Sequence, residues 1–221
     1  MPGFLFGGYN SHMNSVHGTR RGALYVIAAP SGAGKTSLVK AVLERDPSLR
    51  VSISHTTRPR RENEVAGRDY NFITVDEFKR LRDAGEFLEH AQVFDNFYGT
   101  GRAQVEALRN AGHDVILEID WQGAQQVRKA VPDCHTVFIL PPSRQALETR
   151  LRNRKTDSEA VIARRLRDSI ADMSHHAEFD TVIVNDDFER AVGQLLEVLR
   201  GSNGYAAGRP ELAALLKELL V

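Results

Sequence analysis

The sequence predicts an α/β protein in which helices flank a parallel β-sheet. Four apolar runs are rich in β-branched residues and unbroken rather than alternating, which is typical of strands buried on both faces. They cover residues 24–29, 115–119, 136–140 and 181–184. Helix-like segments lie between them, at 35–45, 102–111, 121–130, 143–153, 157–175 and 187–200. Strands that alternate with helices indicate parallel pairing.

A smaller unit interrupts this alternation at residues 53–101. The segment is polar and turn-rich, with short strand candidates in VSISHT and YNFITV and one helix over 75–84. We interpret it as an inserted small mixed α/β subdomain within a core of residues 22–52, 102–146 and 168–200. The last stretch, RPELAALLKELL, begins with proline and carries leucines at helical spacing, which predicts a terminal helix over 209–221.

The charge balance limits the partners of the chain. Its 221 residues include 29 Lys and Arg and 29 Asp and Glu, so the formal net charge is zero. Proteins that coat nucleic acids or anionic membranes are strongly basic, so any basic site on this chain must be local. No apolar run approaches the roughly 18 residues that a membrane-spanning helix needs. We therefore expect neither a nucleic-acid partner nor a membrane partner.

The cysteine count and the N-terminus bear on the compartment. A single cysteine, Cys134, cannot form an internal disulfide and fits a reducing environment. Residues 1–21 have no basic segment ahead of an apolar stretch, so they do not resemble a secretory signal. They are rich in glycine and asparagine without periodicity, which favours a disordered N-terminal extension. We expect a cytoplasmic protein.

The turn after the first apolar run has the composition of a phosphate-binding loop. APSGAGKT matches the P-loop pattern, with alanine in place of the first glycine. Small residues let successive backbone N–H groups converge on phosphate oxygens, and the following helix adds its positive N-terminal end. In this pattern Lys35 reaches the β- and γ-phosphates and the Thr36 hydroxyl contacts Mg²⁺. The predicted ATP site comprises Ala29, Pro30, Ser31, Gly32, Ala33, Gly34, Lys35, Thr36 and Ser37.

A strand-end carboxylate is expected next to this loop. The run VILEID ends in Asp120, which we expect to face the phosphates and orient water on Mg²⁺. Strand-end aspartates are common, and the upstream P-loop is what favours this role here. Thr36 and Asp120 are therefore the predicted metal residues, partly through water, and Mg²⁺ with ATP is the predicted cofactor. Asp120 is also expected to border the acceptor site.

Cations and phenols in the inserted region suit a phosphate monoester as the acceptor. The stretch SISHTTRPRRENEVAGRDYNF contains Arg58, Arg61 and Tyr70, and FLEHAQVFDNFYGTGR adds Tyr98. Guanidinium forks and phenol O–H groups are good donors to phosphate oxygens. For each residue alone, the alternatives are a solvated arginine and a packed tyrosine.

Glu89 lies in the same region and suits guanine. The N1–H and N2–H₂ groups of guanine are adjacent donors, whereas adenine has an acceptor at N1 and no 2-amino group. A carboxylate facing adenine would be desolvated and unpaired, at a cost of several kcal/mol, on the order of 10⁴-fold in discrimination. The alternative for Glu89 is an exposed acid at a helix end.

These motifs together resemble the guanylate kinases in their bacterial form. The resemblance runs from about residue 22 to 200 and rests on APSGAGKTS, SHTTRPRRENEVAGRDYNF, FLEHAQVFDNFYGT, ILEIDWQG and VNDDF. Members of the family often have proline and glycine after the second arginine, where this chain has Glu62 and Asn63. The TTRxxR spacing is intact, so we expect no loss of function.

The resemblance implies the roles of further residues. It implies a P-loop NTPase-type core, a GMP-binding subdomain over 53–101 and a helical lid over 147–167. Catalysis would fall to Lys35 and the lid arginines Arg150, Arg154 and Arg165. The alternative for this arginine-rich stretch is a helical hairpin whose arginines face the solvent. Asn185 would contact the adenine. The implied GMP contacts are Ser54, Arg58, Arg61, Tyr70, Glu89, Tyr98 and Thr100.

The implied reaction is phosphoryl transfer from ATP to GMP, with dGMP as a further acceptor. Two other functions compete with it. Guanylate-kinase-like domains also serve as non-catalytic scaffolds, but these typically lack P-loop or lid residues. A kinase for another nucleoside monophosphate is disfavoured by Glu89 with Ser54 and Thr100. The sequence leaves a homo-oligomer open.

Overall fold

A five-stranded parallel sheet forms the centre of the molecule. The structure, a computed structural model, describes residues 20–93, 95–153, 158–201 and 210–220. The strands of this sheet lie in the order β2-β7-β1-β8-β9. They are β1 (Leu24–Ala28), β2 (Arg50–Val51), β7 (Val115–Glu118), β8 (His135–Leu140) and β9 (Thr181–Val184). The predicted α/β fold with a parallel sheet is confirmed.

Helices cover both faces of this sheet. Side chains from β1 alternate between two core clusters, with Val26 in one and Ile27 in the other, both fully buried. The Val26 side contains residues of α4, α5 and α6, and the Ile27 side contains residues of α1 and α7. These helices are α1 (Lys35–Arg45), α3 (Arg102–Asn110), α4 (Trp121–Ala130), α5 (Arg144–Arg152), α6 (Glu159–Met173) and α7 (Phe188–Leu199).

Side-chain caps explain where several of these helices begin. The hydroxyls of Ser143 and Ser158 accept from Ala146 N and Val161 N, and the carboxylates of Asp120 and Asp187 accept from the third residue of α4 and α7. Serine and aspartate are favoured at this position because they satisfy an amide that the first turn leaves unpaired. The predicted helix boundaries agree with the observed ones to within a few residues.

A second, four-stranded sheet lies in the inserted region, in the order β4-β3-β6-β5. Its strands are β3 (His55–Thr56), β4 (Asn71–Phe72), β5 (Phe87–Val93) and β6 (Asn96–Gly101), with helix α2 (Val75–Asp83) between β4 and β5. β3 pairs parallel to β4, whereas β6 pairs antiparallel to both β3 and β5. The VSISHT candidate divides, because its first residue belongs to β2 of the large sheet and its last two form β3.

An irregularity in β5 changes which side chains face the core. The register between β5 and β6 shifts between Phe87, which opposes Gly101, and Glu89, which opposes Thr100. A bulge of this kind breaks the regular alternation of side chains. As a result the consecutive residues Leu88 and Glu89 are both buried, and Leu88 joins the core cluster that contains part of α4.

The two ends of the described chain are attached to the core. Arg20 pairs with Asp114 at 2.8 Å, while residues 1–19 of the predicted extension lie outside the described residues. Helix α8 (Pro210–Leu220) packs on α6, and its Leu219 is fully buried. Arg144 Nε donates to the Leu219 carbonyl at 3.1 Å. None of the described helices is long and apolar enough to cross a bilayer.

Candidate active site

The P-loop forms the turn between β1 and α1. Gly32 and Gly34 have φ values of 93° and 98°, in the left-handed region that favours glycine. A Cβ atom on Gly32 would lie 3.1 Å from both Leu147 and Leu151 of α5, a tight contact that adds to the conformational preference for glycine. No side chain caps the N-terminus of α1 at Gly34, which leaves its first amides available to an anion.

Lys35, the first residue of α1, is half-buried. Its Nζ donates to the carbonyl of Ile119, at the end of β7, at 2.7 Å. Burial lowers the pKa of Lys35, and the nearby carboxylates of Glu118 and Asp120 oppose that effect. The ammonium group therefore lies among acids at the carboxyl end of the sheet, where a bound triphosphate would bring further negative charge.

The structure pairs Thr36 with a residue that the sequence reasoning did not select. Thr36 Oγ1 donates to Glu118 Oε2 at 3.0 Å, whereas the Asp120 carboxylate accepts from Gly123 N at 2.8 Å and caps α4. Glu118 precedes Asp120 by two residues, so period-two alternation was the signal that could have found it. No group of three or more His, Cys, Asp or Glu side chains suited to a metal is present in the part of the chain that the structure describes.

Three of the predicted phosphate-binding residues, Arg58, Tyr70 and Tyr98, pack together. The Arg58 guanidinium lies 5.5 Å from the centre of the Tyr70 ring, and the rings of Tyr70 and Tyr98 meet edge to face at 6.0 Å. Burial raises the pKa of Tyr70 to about 12, with the charge of Glu118 acting in the same direction. Its hydroxyl therefore stays protonated at neutral pH and remains a donor.

Glu64 joins the two predicted arginines. Its Oε1 accepts from Arg58 Nη2 at 2.7 Å, and its Oε2 accepts from Arg61 N at 2.8 Å. Burial lowers the pKa of Arg58, but the hydrogen bond to Glu64 and the nearby Tyr98 outweigh this effect, so the pKa is raised. The Arg61 side chain is 55% exposed and lies 3.7 Å from Glu64, so it can turn towards a ligand at low cost. Sequence reasoning left Glu64 out of the site.

Glu89 and Thr100 form a buried pair across β5 and β6. Glu89 is only 3% exposed and Thr100 is fully buried, and Thr100 Oγ1 donates to Glu89 Oε1 at 2.5 Å. Burial raises the pKa of Glu89 to about 7; the Thr100 hydrogen bonds oppose this effect and the charge of Asp120 adds to it. Glu89 is therefore a buried strand residue and not an exposed helix-end acid. Ser54 is half-buried just before β3, the strand that pairs with β6.

The arginine-rich region contacts the P-loop through Arg150. Its Nη1 donates to the Ala33 carbonyl at 3.1 Å and its Nη2 to the Asn185 carbonyl at 2.9 Å. Asn185 is buried, and its Nδ2 also donates to the Ala33 carbonyl, at 2.7 Å. Asn185 thus lies against the P-loop backbone in this structure, and its contact with adenine stays a prediction. Arg165 is half-buried on α6, and Arg154 lies outside the described residues.

Comparison with known proteins agrees with this geometry. The family model for guanylate kinase matches residues 21–202. The guanylate kinase of Methylococcus capsulatus is 55% identical over 201 residues, covering 90% of this chain and 98% of that protein. That of Hydrogenovibrio crunogenus is 56% identical over 190 residues, covering 86% and 93%. The chain belongs to the guanylate kinase family.

A solved structure supports the same assignment for the fold. The crystal structure of guanylate kinase from Anaplasma phagocytophilum superposes with a TM-score of 0.69 at 32% identity, covering 91% of this chain and 97% of that one. The chain therefore spans nearly the whole length of its guanylate kinase relatives. The predicted enzyme class, a phosphotransferase acting between ATP and GMP, is confirmed at the level of the family.

Proposed function

We propose that this guanylate kinase binds ATP on the P-loop and GMP in the inserted subdomain, and that it accepts dGMP as well. A GMP phosphate oxygen attacks the γ-phosphorus of ATP, and the bond from that phosphorus to the β,γ-bridging oxygen breaks, so that ADP leaves. No general base is required, because the attacking oxygen is already ionised. Catalysis then depends on bringing two polyanions into line and neutralising their charge.

The buried Glu89–Thr100 pair is the observation that carries the acceptor specificity. A buried carboxylate that accepts one 2.5 Å hydrogen bond needs further donors when it is ionised. Guanine supplies two such donors from N1 and N2, whereas adenine supplies none at these positions. Ser54 and Thr100 complete the base contacts in this proposal, with Asp120 at the border of the site.

Charge neutralisation is assigned to six cations and two phenols. Arg58, Arg61, Tyr70 and Tyr98 hold the GMP phosphate, while Lys35 and Arg150 contact the ATP phosphates. Arg165 on α6 and Arg154, which lies outside the described residues, belong to the same lid proposal. Closure of the lid excludes water, which would otherwise accept the phosphoryl group.

The residues around Thr36 suit Mg²⁺. The Thr36 hydroxyl and the Glu118 carboxylate offer adjacent hard oxygen donors 3.0 Å apart, and Asp120 adds a second carboxylate nearby. Mg²⁺ prefers one or two carboxylates together with water and substrate phosphates. When bound with ATP, the ion would supply positive charge at the phosphate oxygens. Thr36, Glu118 and Asp120 are the residues that would hold it, partly through water.

A substrate panel tests this proposal. We expect an ADP-coupled assay to show turnover with GMP and dGMP, and turnover lower by on the order of 10⁴-fold with AMP, UMP and CMP. Equal use of GMP and AMP would contradict the assignment of Glu89. Nucleotide binding without turnover would instead favour a scaffold, the competing class.

A cytoplasmic location is proposed on the single, buried Cys134.

A further inference from the structure

Strand β5 and helix α4 meet where the small sheet contacts the core. β5 is the edge strand of its sheet, so one row of its backbone groups has no neighbouring strand among the described residues. Helix α4 lies against it, and Leu88 of β5 shares a core cluster with Ala124 and Val127 of α4. This contact is therefore a packed joint rather than a loose surface.

Gln126 of α4 pairs with this edge as a neighbouring strand would. Gln126 Oε1 accepts from His90 N at 3.1 Å, and Gln126 Nε2 donates to the His90 carbonyl at 2.7 Å. A side-chain amide has the same donor and acceptor as a peptide group, so it satisfies both backbone groups of one edge residue. The residue held in this way is the immediate neighbour of Glu89.

Gly123 of α4 makes the closest approach to Glu89. A Cβ atom on Gly123 would lie 2.6 Å from Glu89 Oε2, closer than a carbon and an oxygen can stand without bonding. The φ of Gly123 is not positive, so backbone conformation does not require glycine at this helical position. What requires it is the space taken by the carboxylate. Gly123 and Gln126 are three residues apart and therefore share one face of the helix.

We propose that Gly123 and Gln126 are positioning residues that set the place of the Glu89 carboxylate and thereby the enzyme's preference for guanine. Gln126 fixes the position of β5 along the axis of α4. Gly123, which has no side chain, leaves the space that the Glu89 carboxylate occupies. The bulge at Leu88 aims Glu89 at that gap. The inference rests on the proposed role of Glu89 as the reader of the base.

The test compares GMP with IMP, whose base keeps N1–H but lacks the 2-amino group. We expect Gly123→Ala to displace the carboxylate, so that KM for GMP rises about tenfold or more and the GMP-to-IMP ratio of kcat/KM falls by a similar factor. Gln126→Ala should change the same ratio in the same direction. KM for ATP and the unfolding temperature should stay close to those of the parent enzyme, which a general loss of structure would not allow.

Two matched controls are present in the chain. Gly193 of α7 is a helical glycine with open space around its Cβ position, so Gly193→Ala controls for placing alanine in a helix. Gln125 is the exposed neighbour of Gln126 on α4, and its amide binds Glu178 instead of β5. Gly193→Ala and Gln125→Ala should leave the GMP-to-IMP ratio unchanged. An equal fall in the controls would overturn the inference.

Glu89→Gln separates this inference from the proposed function on which it rests. If Glu89→Gln leaves the GMP-to-IMP ratio unchanged, the role of Glu89 is wrong. If it lowers the ratio while Gly123→Ala and Gln126→Ala do not, only the positioning inference is wrong. In the double variant, Gly123→Ala should add little to the effect of Glu89→Gln. The side chain that the alanine displaces has then already lost the charge that is proposed to bind guanine. Additive effects would show that Gly123 acts elsewhere.

Discussion

The Thr36 hydroxyl donates to the Glu118 carboxylate across the gap between α1 and β7, at 3.0 Å. Both residues stand at the carboxyl end of the parallel sheet, where ligands bind in folds of this kind. Glu118 also lies close enough to Lys35 and Tyr70 to affect the pKa of both. This one carboxylate therefore links the P-loop to the residues proposed to hold the GMP phosphate.

Glu118→Gln is expected to raise the Mg²⁺ concentration that gives half-maximal activity by about tenfold, because it removes one charged oxygen next to Thr36. Asp120→Asn is the matched comparison, since asparagine caps a helix as well as aspartate does and only the charge is lost. Titration of activity with Mg²⁺ at saturating ATP measures both effects. A larger shift for Asp120→Asn would make Asp120, and not Glu118, the main carboxylate that holds the metal.

The raised pKa of Glu89 predicts that GMP binding depends on pH. In the proposed role of Glu89, guanine binds the ionised carboxylate, and burial raises the pKa of that group from 4.5 to about 7. Below pH 7, KM for GMP should rise roughly tenfold per pH unit, while KM for ATP changes much less. Initial rates from pH 5.5 to 8.5 would measure this. A KM for GMP that stays flat over this range would contradict the assignment.

The same group affects stability with the opposite sign. Because the pKa of Glu89 is higher in the folded chain, the protonated form contributes stability that is fully present below pH 4.5 and lost as pH rises through about 7. Glu89→Gln removes this titration, so the pH dependence of the unfolding free energy should be flatter for the variant between these values. Denaturant unfolding of the ligand-free protein measures the difference.

The large sheet could be predicted from the sequence because local signals determine it. Unbroken apolar runs marked its long strands, and the predicted helical segments 143–153 and 157–175 begin close to Ser143 and Ser158, which cap α5 and α6 in the structure. The hairpin of β5 and β6 was not predicted, because its bulge depends on packing against α4 and leaves FLEHAQV without regular alternation. Gly123 and Gln126 looked like ordinary helical residues, since their partners lie more than thirty residues away in the chain.

Lys35→Ala should abolish phosphoryl transfer without loss of the fold. Lys35 is held by one carbonyl, and its pKa is lowered by burial, so its removal takes away a charge that is costly to bury. We expect kcat to fall by at least about 10²–10³-fold, with an unfolding temperature that does not decrease. Lys40→Ala is the control, because Lys40 is an exposed lysine of the same helix, 4.0 Å from Glu44. Near-normal turnover of the Lys35 variant would remove the P-loop assignment.

Arg150→Ala should lower kcat more than it raises KM for GMP. The Arg150 guanidinium reaches from α5 to the carbonyls of Ala33 and Asn185, so its charge lies at the P-loop. We expect kcat to fall by about 10–100-fold, and Arg150→Lys to restore little of it, because an ammonium group cannot span both carbonyls. Arg152→Ala is the matched control, since Arg152 is two residues along the same helix and pairs with Glu148 and Glu159 at the surface. An equal loss in both variants, or a loss confined to KM for GMP, would contradict a role of Arg150 at the ATP phosphates.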